Sequence, residues 1–301
     1  MTLLLNNINK SFSGTHILKD IHFEAQPGVP LGFLGRNGAG KTTTIRILMD
    51  VFAPDSGEIL YDGKPFDRDS FKIGYMPEER GLYPGISVQD QLVYLGELKG
   101  MSTGKAKESA KYWVDRFELG DYFTKNLETL SKGNQQKIQI VQSVIDDPDI
   151  LILDEPFSGL DPVNAQSLSN VMMEFVDKGR IVIFSSHQMA SVEQFCDDIV
   201  LINKGEIVLD GSLQEIKREK GFGKKRLSMR DWSDDELAKR LRQFGDFPID
   251  QDKESLIIQF DKEPKEIMQL LADLGGDVEL YADYEPSLND IFIETVGERH
   301  A

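Results

Sequence analysis

One cysteine, Cys196, is all that the 301 residues contain. An internal disulfide and a cysteine-built zinc cluster are therefore both excluded. Basic residues are scarce: 34 Lys and Arg stand against 51 Asp and Glu, a formal net charge of −17. That balance argues against broad electrostatic binding to nucleic acid, and none is expected as a partner. No apolar run approaches the roughly 20 residues that cross a bilayer. The first residues, Met1 to Asn6, carry no basic segment and too short an apolar one for a signal peptide. These absences predict a reducing, cytoplasmic compartment. The mix of 40% hydrophobic and 28% charged residues describes a globular chain rather than a disordered or fibrous one. Its length suits one large domain or two ordinary ones.

No internal repeat or low-complexity tract is visible. The first 35 residues read as short strands around Leu3-Leu4-Leu5, Ile21-His22-Phe23 and Leu31-Gly32-Phe33-Leu34, punctuated by Gly14 and Pro27-Gly28. Ile45, Leu48, Met49 and Phe52 recur at helical spacing, and Pro54-Asp55-Ser56-Gly57 breaks that pattern. Residues 87–145 read as mostly helical. Ser87 with Asp90 resembles a capping box, and stripes follow at Val88, Leu92 and Leu95, at Ala106, Ala110, Trp113 and Phe117, and at Ile138, Val141 and Ile145. The continuous apolar runs Ile150–Leu153 and Ile181–Phe184 suit strands buried on both faces of a parallel sheet. Ile199–Ile202 and Ile207–Leu209 read as a hairpin around Asn203-Lys204-Gly205. Residues 217–226 are charge-rich and predict a linker. Beyond them Leu256–Phe260 is an expected strand. Ile267, Leu270, Leu271 and Leu274 form a helical stripe, and Ser287 caps a last helix with Ile291, Phe292 and Val296. Residues 227–301 could make a small α+β domain.

The clearest chemistry lies in Gly35-Arg36-Asn37-Gly38-Ala39-Gly40-Lys41-Thr42, which fits the phosphate-binding pattern G-x-x-x-x-G-K-[ST]. An apolar strand precedes it and a helix follows, as the pattern requires. Glycines let backbone N–H groups turn inward around phosphate oxygens, and the helix aims its positive end at the anion. Lys41 can reach the β- and γ-phosphates, the Thr42 hydroxyl can ligate Mg²⁺, and Thr43 is placed for the α-phosphate. Asp154 and Glu155 end the buried run Ile150–Leu153. A carboxylate there faces the crevice where nucleotides bind. Asp154 is the candidate metal residue and Glu155 the candidate general base for an attacking water.

Leu130-Ser131-Lys132-Gly133-Asn134-Gln135-Gln136-Lys137 resembles the LSGGQ signature of ABC-type ATPases. Asp154-Glu155-Pro156 with Ser158-Gly159-Leu160-Asp161 resembles their Walker B and D-loop, and Ser185-Ser186-His187 their H-switch. The five motifs stand in that family's order and cover residues 1 to about 216. Three phrases resemble the ATPase subunits of ABC-2-type exporters, the sodium-extrusion and multidrug-like ones. They are the segment Gly74 to Tyr83, the LSKGNQQK form of the signature, and Ser186-His187-Gln188-Met189. The tail, ending in Pro286-Ser287-Leu288-Asn289-Asp290-Ile291-Phe292, resembles the C-terminal domain of many such subunits.

The resemblance implies an α/β P-loop fold of ABC type: a mixed sheet, an antiparallel β subdomain and an inserted helical subdomain at about 85–146. The ATPase domain would span 1–216, with a linker at 217–226 and an accessory α+β domain at 227–301. It implies ATP and Mg²⁺ as ligands, and a dimer in which each P-loop faces the partner's signature. Gly35, Asn37, Gly38, Ala39, Gly40, Lys41, Thr42 and Thr43 would cradle the phosphates. Ser131, Gly133, Asn134 and Asp161 would serve the site from the opposing copy. Phe12 stands where the family stacks an aromatic on adenine, usually Tyr; the other reading is ordinary strand packing. His187 would sense the γ-phosphate. Glu78 aligns with the Q-loop glutamine and could ligate the metal or position water. Lys132 and Asn134 depart from the general signature. His16, His22 and His300 have no comparable context. The resemblance further implies an ABC-2-type permease as partner. It would contact residues around Glu78 and 85–120 and hold the protein on the cytoplasmic face of the membrane. A homodimer and a heterodimer both stay open. The tail could stabilise the dimer, regulate it or pack passively. Two other readings fit the sequence less well. A soluble ABC ATPase acting on ribosomes or DNA would need a second cassette or a long coiled coil, and neither fits here. A silent nucleotide switch is opposed by Lys41, Asp154, Glu155 and His187.

Overall fold

The computed structural model describes residues 2–298 apart from Arg80, Lys253, Glu254 and Asp261. Arg80 of the Gly74–Tyr83 phrase and His300 lie outside the described residues. Two compact units divide the chain after Leu213, with the residues from Thr295 grouped with the first.

The first unit holds two sheets. The antiparallel sheet has the order β2-β1-β4-β5, from β1 (Leu3–Phe12), β2 (Thr15–Ala25), β4 (Ser56–Tyr61) and β5 (Lys64–Pro65). The six-stranded sheet has the order β10-β9-β3-β8-β7-β6. It comprises β3 (Pro30–Leu34), β6 (Ile73–Met76), β7 (Ile150–Asp154), β8 (Ile181–Ser186), β9 (Asp198–Asn203) and β10 (Glu206–Ser212). Strands β6, β7, β8, β3 and β9 run parallel, and β10 returns antiparallel as the expected hairpin. Every residue of β3, β7 and β8 is buried, as their unbroken apolar runs require. In the second half of β2 alternate residues, Ile21, Phe23 and Ala25, are buried, and with Leu18 they meet Phe33, Ile152 and Ile183 in one core.

Helix α1 (Lys41–Leu48) follows β3. It is shorter than its apolar spacing predicted. Asp50 takes φ 56°, and the Val51 N–H bonds the Arg46 carbonyl at 2.9 Å. That left-handed stop lies before Phe52, which packs on the core from outside the helix. Strands β1 and β2 are longer than the apolar clusters indicated. Helices α2 (Val88–Leu98), α3 (Thr103–Arg116) and α4 (Lys132–Val144) form the inserted helical part and pack on one another. Ser87 caps α2 by accepting the Asp90 N–H at 3.0 Å. Helix α5 (Pro162–Asp177) packs on β8, and α6 (Met189–Phe195) on β3 and β8.

The second unit corrects the linker reading. Residues 217–226 are not a linker: they hold most of α7 (Leu213–Gly221) and the start of β11 (Lys224–Met229). The charges that suggested solvated chain are divided between α7, whose Leu213 and Ile216 are buried, and the first residues of β11. The rest comprises α8 (Asp234–Leu241), β12 (Ile249–Asp252), β13 (Ser255–Gln259), α9 (Pro264–Leu274), β14 (Val278–Asp283) and α10 (Leu288–Glu298). Its antiparallel sheet has the order β12-β13-β11-β14. Leu237 and Leu241 of α8 and the predicted stripe of α9 close one core against Leu227, Met229, Leu256 and Ile258. Ser287 and Asp290 cap α10 reciprocally: each side chain accepts the other's backbone N–H at 3.2 Å.

Candidate nucleotide site

The buried strand β3 delivers the loop 35–40 between β8 and β9, and α1 starts directly from it. Gly38 and Gly40 take φ of +80° and +119°. A Cβ on Gly40 would stand 2.6 Å from Leu18 Cδ2, so the β2 side of the core presses on the back of the loop. A Cβ on Gly38 would meet nothing within 4 Å, because that side is open. Helix α1 has neither a side-chain cap nor an acidic residue in its first turn. Its N–H groups are thus offered to an anion. A cleft of about 480 Å³ opens here, lined among others by Phe12, Asn37, Gly38, Gly40, Lys41, Thr42, Thr43, Glu78 and Glu155. Gly35 and Ala39 are buried behind it. Lys41 Nζ donates to the Gly35 carbonyl at 2.7 Å.

Strand β7 brings the acidic pair. Asp154 is fully buried, accepting from Thr42 Oγ1 at 3.2 Å and from the Ser185 hydroxyl. Burial raises its pKa, opposed by those two hydrogen bonds and by Lys41. Burial and the Asp154 charge also push Tyr75, on the adjacent strand β6, up to about 12. Glu155 leaves the strand at φ +53°, an uncommon conformation for a residue with a Cβ. Its N–H is held by the carbonyl and hydroxyl oxygens of Ser185 at 3.2 and 3.1 Å. The turn aims the carboxylate inward. Glu155 Oε2 lies 2.8 Å from His187 Nδ1. Glu155 Oε1 is buried with no hydrogen bond, although Lys41 Nζ stands 3.4 Å away. The ammonium is near enough for an ion pair and misaligned for a hydrogen bond. A buried acceptor in this state calls for a donor, and a water beside a bound phosphate would be one.

The Thr42 hydroxyl and Asp154 carboxylate converge as hard oxygen donors, and Glu78 lies on the same cleft. Among the described residues no three His, Cys, Asp or Glu side chains gather into a metal cage. This donor set fits a divalent cation that keeps water and phosphate ligands, as Mg²⁺ does. Phe12 packs perpendicular to Phe52 with ring centroids 5.3 Å apart and Lys10 Nζ 5.5 Å over its ring, and its exposed part, 44%, lines the cleft.

Four predicted residues lie elsewhere. Ser131 caps α4, accepting the Asn134 N–H at 3.3 Å. Asp161 caps α5, and the Asn164 backbone N–H holds its carboxyl below the ordinary carboxylate value. A Cβ on Gly133 would sit 3.7 Å from Asn164 Nδ2, so these helix starts adjoin. Ser131, Gly133, Asn134 and Asp161 do not line this chain's cleft. Sequence reasoning missed Gln136 and Gln139. Gln136 Nε2 donates to the Pro156 carbonyl at 2.7 Å, and Gln139 Nε2 to those of Pro77 and Glu79 at 2.7 and 3.3 Å. They tie α4 to the backbone just after Glu155 and around Glu78. The available signal was two glutamines three apart in a helix otherwise striped with Ile and Val.

A family model described as ABC transporter matches residues 18–158. A second, for the C-terminal domain of DrrA1-3-like ATP-binding proteins, matches residues 211–296. YhaQ of Bacillus subtilis, an uncharacterized ABC transporter ATP-binding protein, is 41% identical over 98% of this chain and 98% of its own. The chain belongs to the ABC transporter ATP-binding family. DrrA of Streptomyces peucetius, a daunorubicin/doxorubicin resistance ATP-binding protein, is 30% identical over 96% of this chain and 90% of its own. A solved ATP binding subunit of an ABC transporter aligns at a TM-score of 0.67 and 28% identity, over 80% of this chain and 100% of that one. The P-loop fold of ABC type is therefore present, and the chain is an ATP-binding ABC ATPase.

Proposed function

We propose that this ABC ATPase powers an ABC-2-type exporter as a dimer that closes on ATP and Mg²⁺ and reopens on hydrolysis. The carrying observation is the split of its functional residues. P-loop residues and Glu155 line one cleft, Asp154 is bonded to Thr42 and His187 to Glu155 beside it, while Ser131, Gly133, Asn134 and Asp161 adjoin one another outside its lining. A site divided in this way is completed by a second copy whose signature helix points its N-terminus at the phosphate.

Within the closed site Glu155 accepts the proton of the attacking water through the oxygen that has no hydrogen bond, and His187 fixes the other oxygen. Lys41 exchanges the Gly35 carbonyl and Glu155 for the β- and γ-phosphates. Its ammonium is thereby moved from the base to the substrate. Thr42 and Asp154, with Glu78 nearby, hold the Mg²⁺, which neutralises phosphate charge when bound. Phe12 stacks on the base through its exposed part. One chain carries a full set of these residues, which supports a homodimer with two equivalent sites; a heterodimer is the other outcome.

The membrane partner is inferred from what the chain lacks and exposes. Among the described residues no helix is long and apolar enough to cross a membrane. Exposed Tyr83, Ile86, Tyr94 and Leu98 cluster in the sequence after Glu78, where a permease segment would dock. That contact would hold the protein at the cytoplasmic face. Likeness to a drug-resistance ATP-binding protein over the full length favours export. The test is Mg²⁺-dependent ATP hydrolysis against protein concentration. Turnover rising more steeply than linearly, and collapsing in Glu155→Gln, supports the shared-site dimer. Turnover strictly proportional to protein, in a monomer at every concentration, would sink it.

A further inference from the structure

The second unit opens at one edge of its core. Strands β11, β13 and β14 turn Leu227, Met229, Leu256, Ile258 and Tyr281 toward α8 and α9. Where β11 begins, beside the first turn of α9, that cover ends in a cavity of about 980 Å³. Small-molecule sites commonly occupy roughly 300–1,000 Å³. Its apolar lining comes from the buried Phe260 and Ile267 and the partly buried Tyr281. Phe222, 82% exposed, stands at its edge.

The charges around it are sorted by depth. Lys225 precedes Leu227 by two on β11, so strand alternation sends it to the same face. The Lys217 and Lys225 side chains are only 14% and 26% exposed. Their ion-pair partners Glu285 and Asp283 are 70% and 89% exposed. The cations stand within and the carboxylates stand in solvent. Two more acids on the wall, Glu263 and Glu266, are turned onto the start of α9 as its capping box. In a chain of net charge −17, an inward pair of lysines beside aromatic rings is a local reversal.

We propose that this cavity binds a small amphipathic anion with an aromatic or similarly flat apolar body. Its acid group sits on Lys217 and Lys225, and its body covers Phe260, Ile267 and Tyr281 under Phe222. Asp283, 89% exposed, releases Lys225 readily, because an ion pair to a solvated carboxylate is weak, and Glu285 beside Lys217 likewise stands in solvent. The site is separate from the ATP cleft and does not rest on the exporter reading.

The test uses the full chain with saturating ATP, and 8-anilinonaphthalene-1-sulfonate as the probe in a fluorescence titration. The expected result is one saturable site per chain. Its affinity falls about tenfold in Lys217→Glu and in Lys225→Glu, and about threefold in Phe222→Ser. ATP hydrolysis and far-UV circular dichroism stay unchanged. Phe222 is exposed, so its variant keeps the test open if a lysine variant fails to fold. Three results would overturn the proposal. They are probe affinity unmoved in the folded variants, tighter binding of the cationic dye thioflavin T at the same site, and displacement by anionic phosphatidylglycerol vesicles but not by soluble naphthalene-2-sulfonate.

Discussion

Glu155 and His187 meet at 2.8 Å because they overhang the ends of two paired parallel strands. Asp154 pairs with Ser185 at the last rung, and Glu155 and His187, just beyond the two strand ends, turn toward each other. Glu155→Gln preserves size and the His187 contact but removes the base. Its kcat should drop by about 10²–10⁴, with ATP affinity little changed. His187→Ala should cost less, roughly 10–100-fold, since it removes orientation rather than the proton acceptor. Steady-state turnover beside a nucleotide-binding titration separates the two parameters. A Glu155→Gln protein that loses ATP binding would contradict these roles.

Asp154 makes a prediction of opposite sign for stability and function. Its folded pKa lies above the ordinary 3.8, with burial the largest cause. Without nucleotide and metal, the stability it lends in acid is lost as pH rises through the raised folded value. Asparagine has no charge to bury, and the Thr42 and Ser185 hydroxyls can turn to suit it. Asp154→Asn should therefore raise the nucleotide-free Tm near neutral pH, by roughly 2–4 °C per kcal/mol relieved. The gain should shrink in acid. The same variant should lose most of the extra Tm that Mg²⁺ with ATP gives the parent chain. Thermal scans at two pH values, each with and without Mg²⁺ and ATP, check all three.

The motifs and buried strands were legible because each is contiguous. A run such as Ile150–Leu153 is buried on both faces, and its burial needs no knowledge of its neighbours. The P-loop was legible for the same reason, since its glycines, lysine and threonine act through their own backbone. What stayed hidden depends on partners far along the chain. Gln136 and Gln139 gain meaning only once Pro156, Pro77 and Glu79 come beside α4. Residues 217–226 read as solvated chain because a helix with one buried stripe needs a surface to bury it on. Phe52 matched a helical spacing, but Asp50 took a left-handed turn more often given to glycine.

Gly38 and Gly40 should separate backbone strain from close packing. Both take positive φ, which costs alanine roughly 1–2 kcal/mol. At Gly40 the added methyl would also press on the fully buried Leu18 at 2.6 Å. Overpacking of that kind costs about 1–3 kcal/mol more. Gly40→Ala should thus lower Tm further than Gly38→Ala. At Gly38 the methyl points into the open side where phosphate would lie, so ATP affinity should fall there with little loss of fold. Gly38→Ala binding ATP as the parent does would place the phosphate elsewhere.

A complementation experiment addresses the divided site directly. Ser131→Asp retains an N-cap for α4, because aspartate caps well, yet sets a negative charge where the partner's γ-phosphate would approach. Lys41→Ala disables the P-loop of its own chain. In a shared-site dimer each variant alone should be inactive. Mixed in equal amounts with free exchange, half the dimers pair one variant with the other. Such a dimer joins both lesions in one site and leaves the second site with an intact P-loop and an intact signature. Activity should return to about a quarter of the parent's, one good site in every second dimer. If each cleft worked unaided, Ser131→Asp would be active by itself and the mixture would only dilute it to about half. Recovery on mixing two dead proteins has no explanation within a single chain, because neither can supply what it lacks itself.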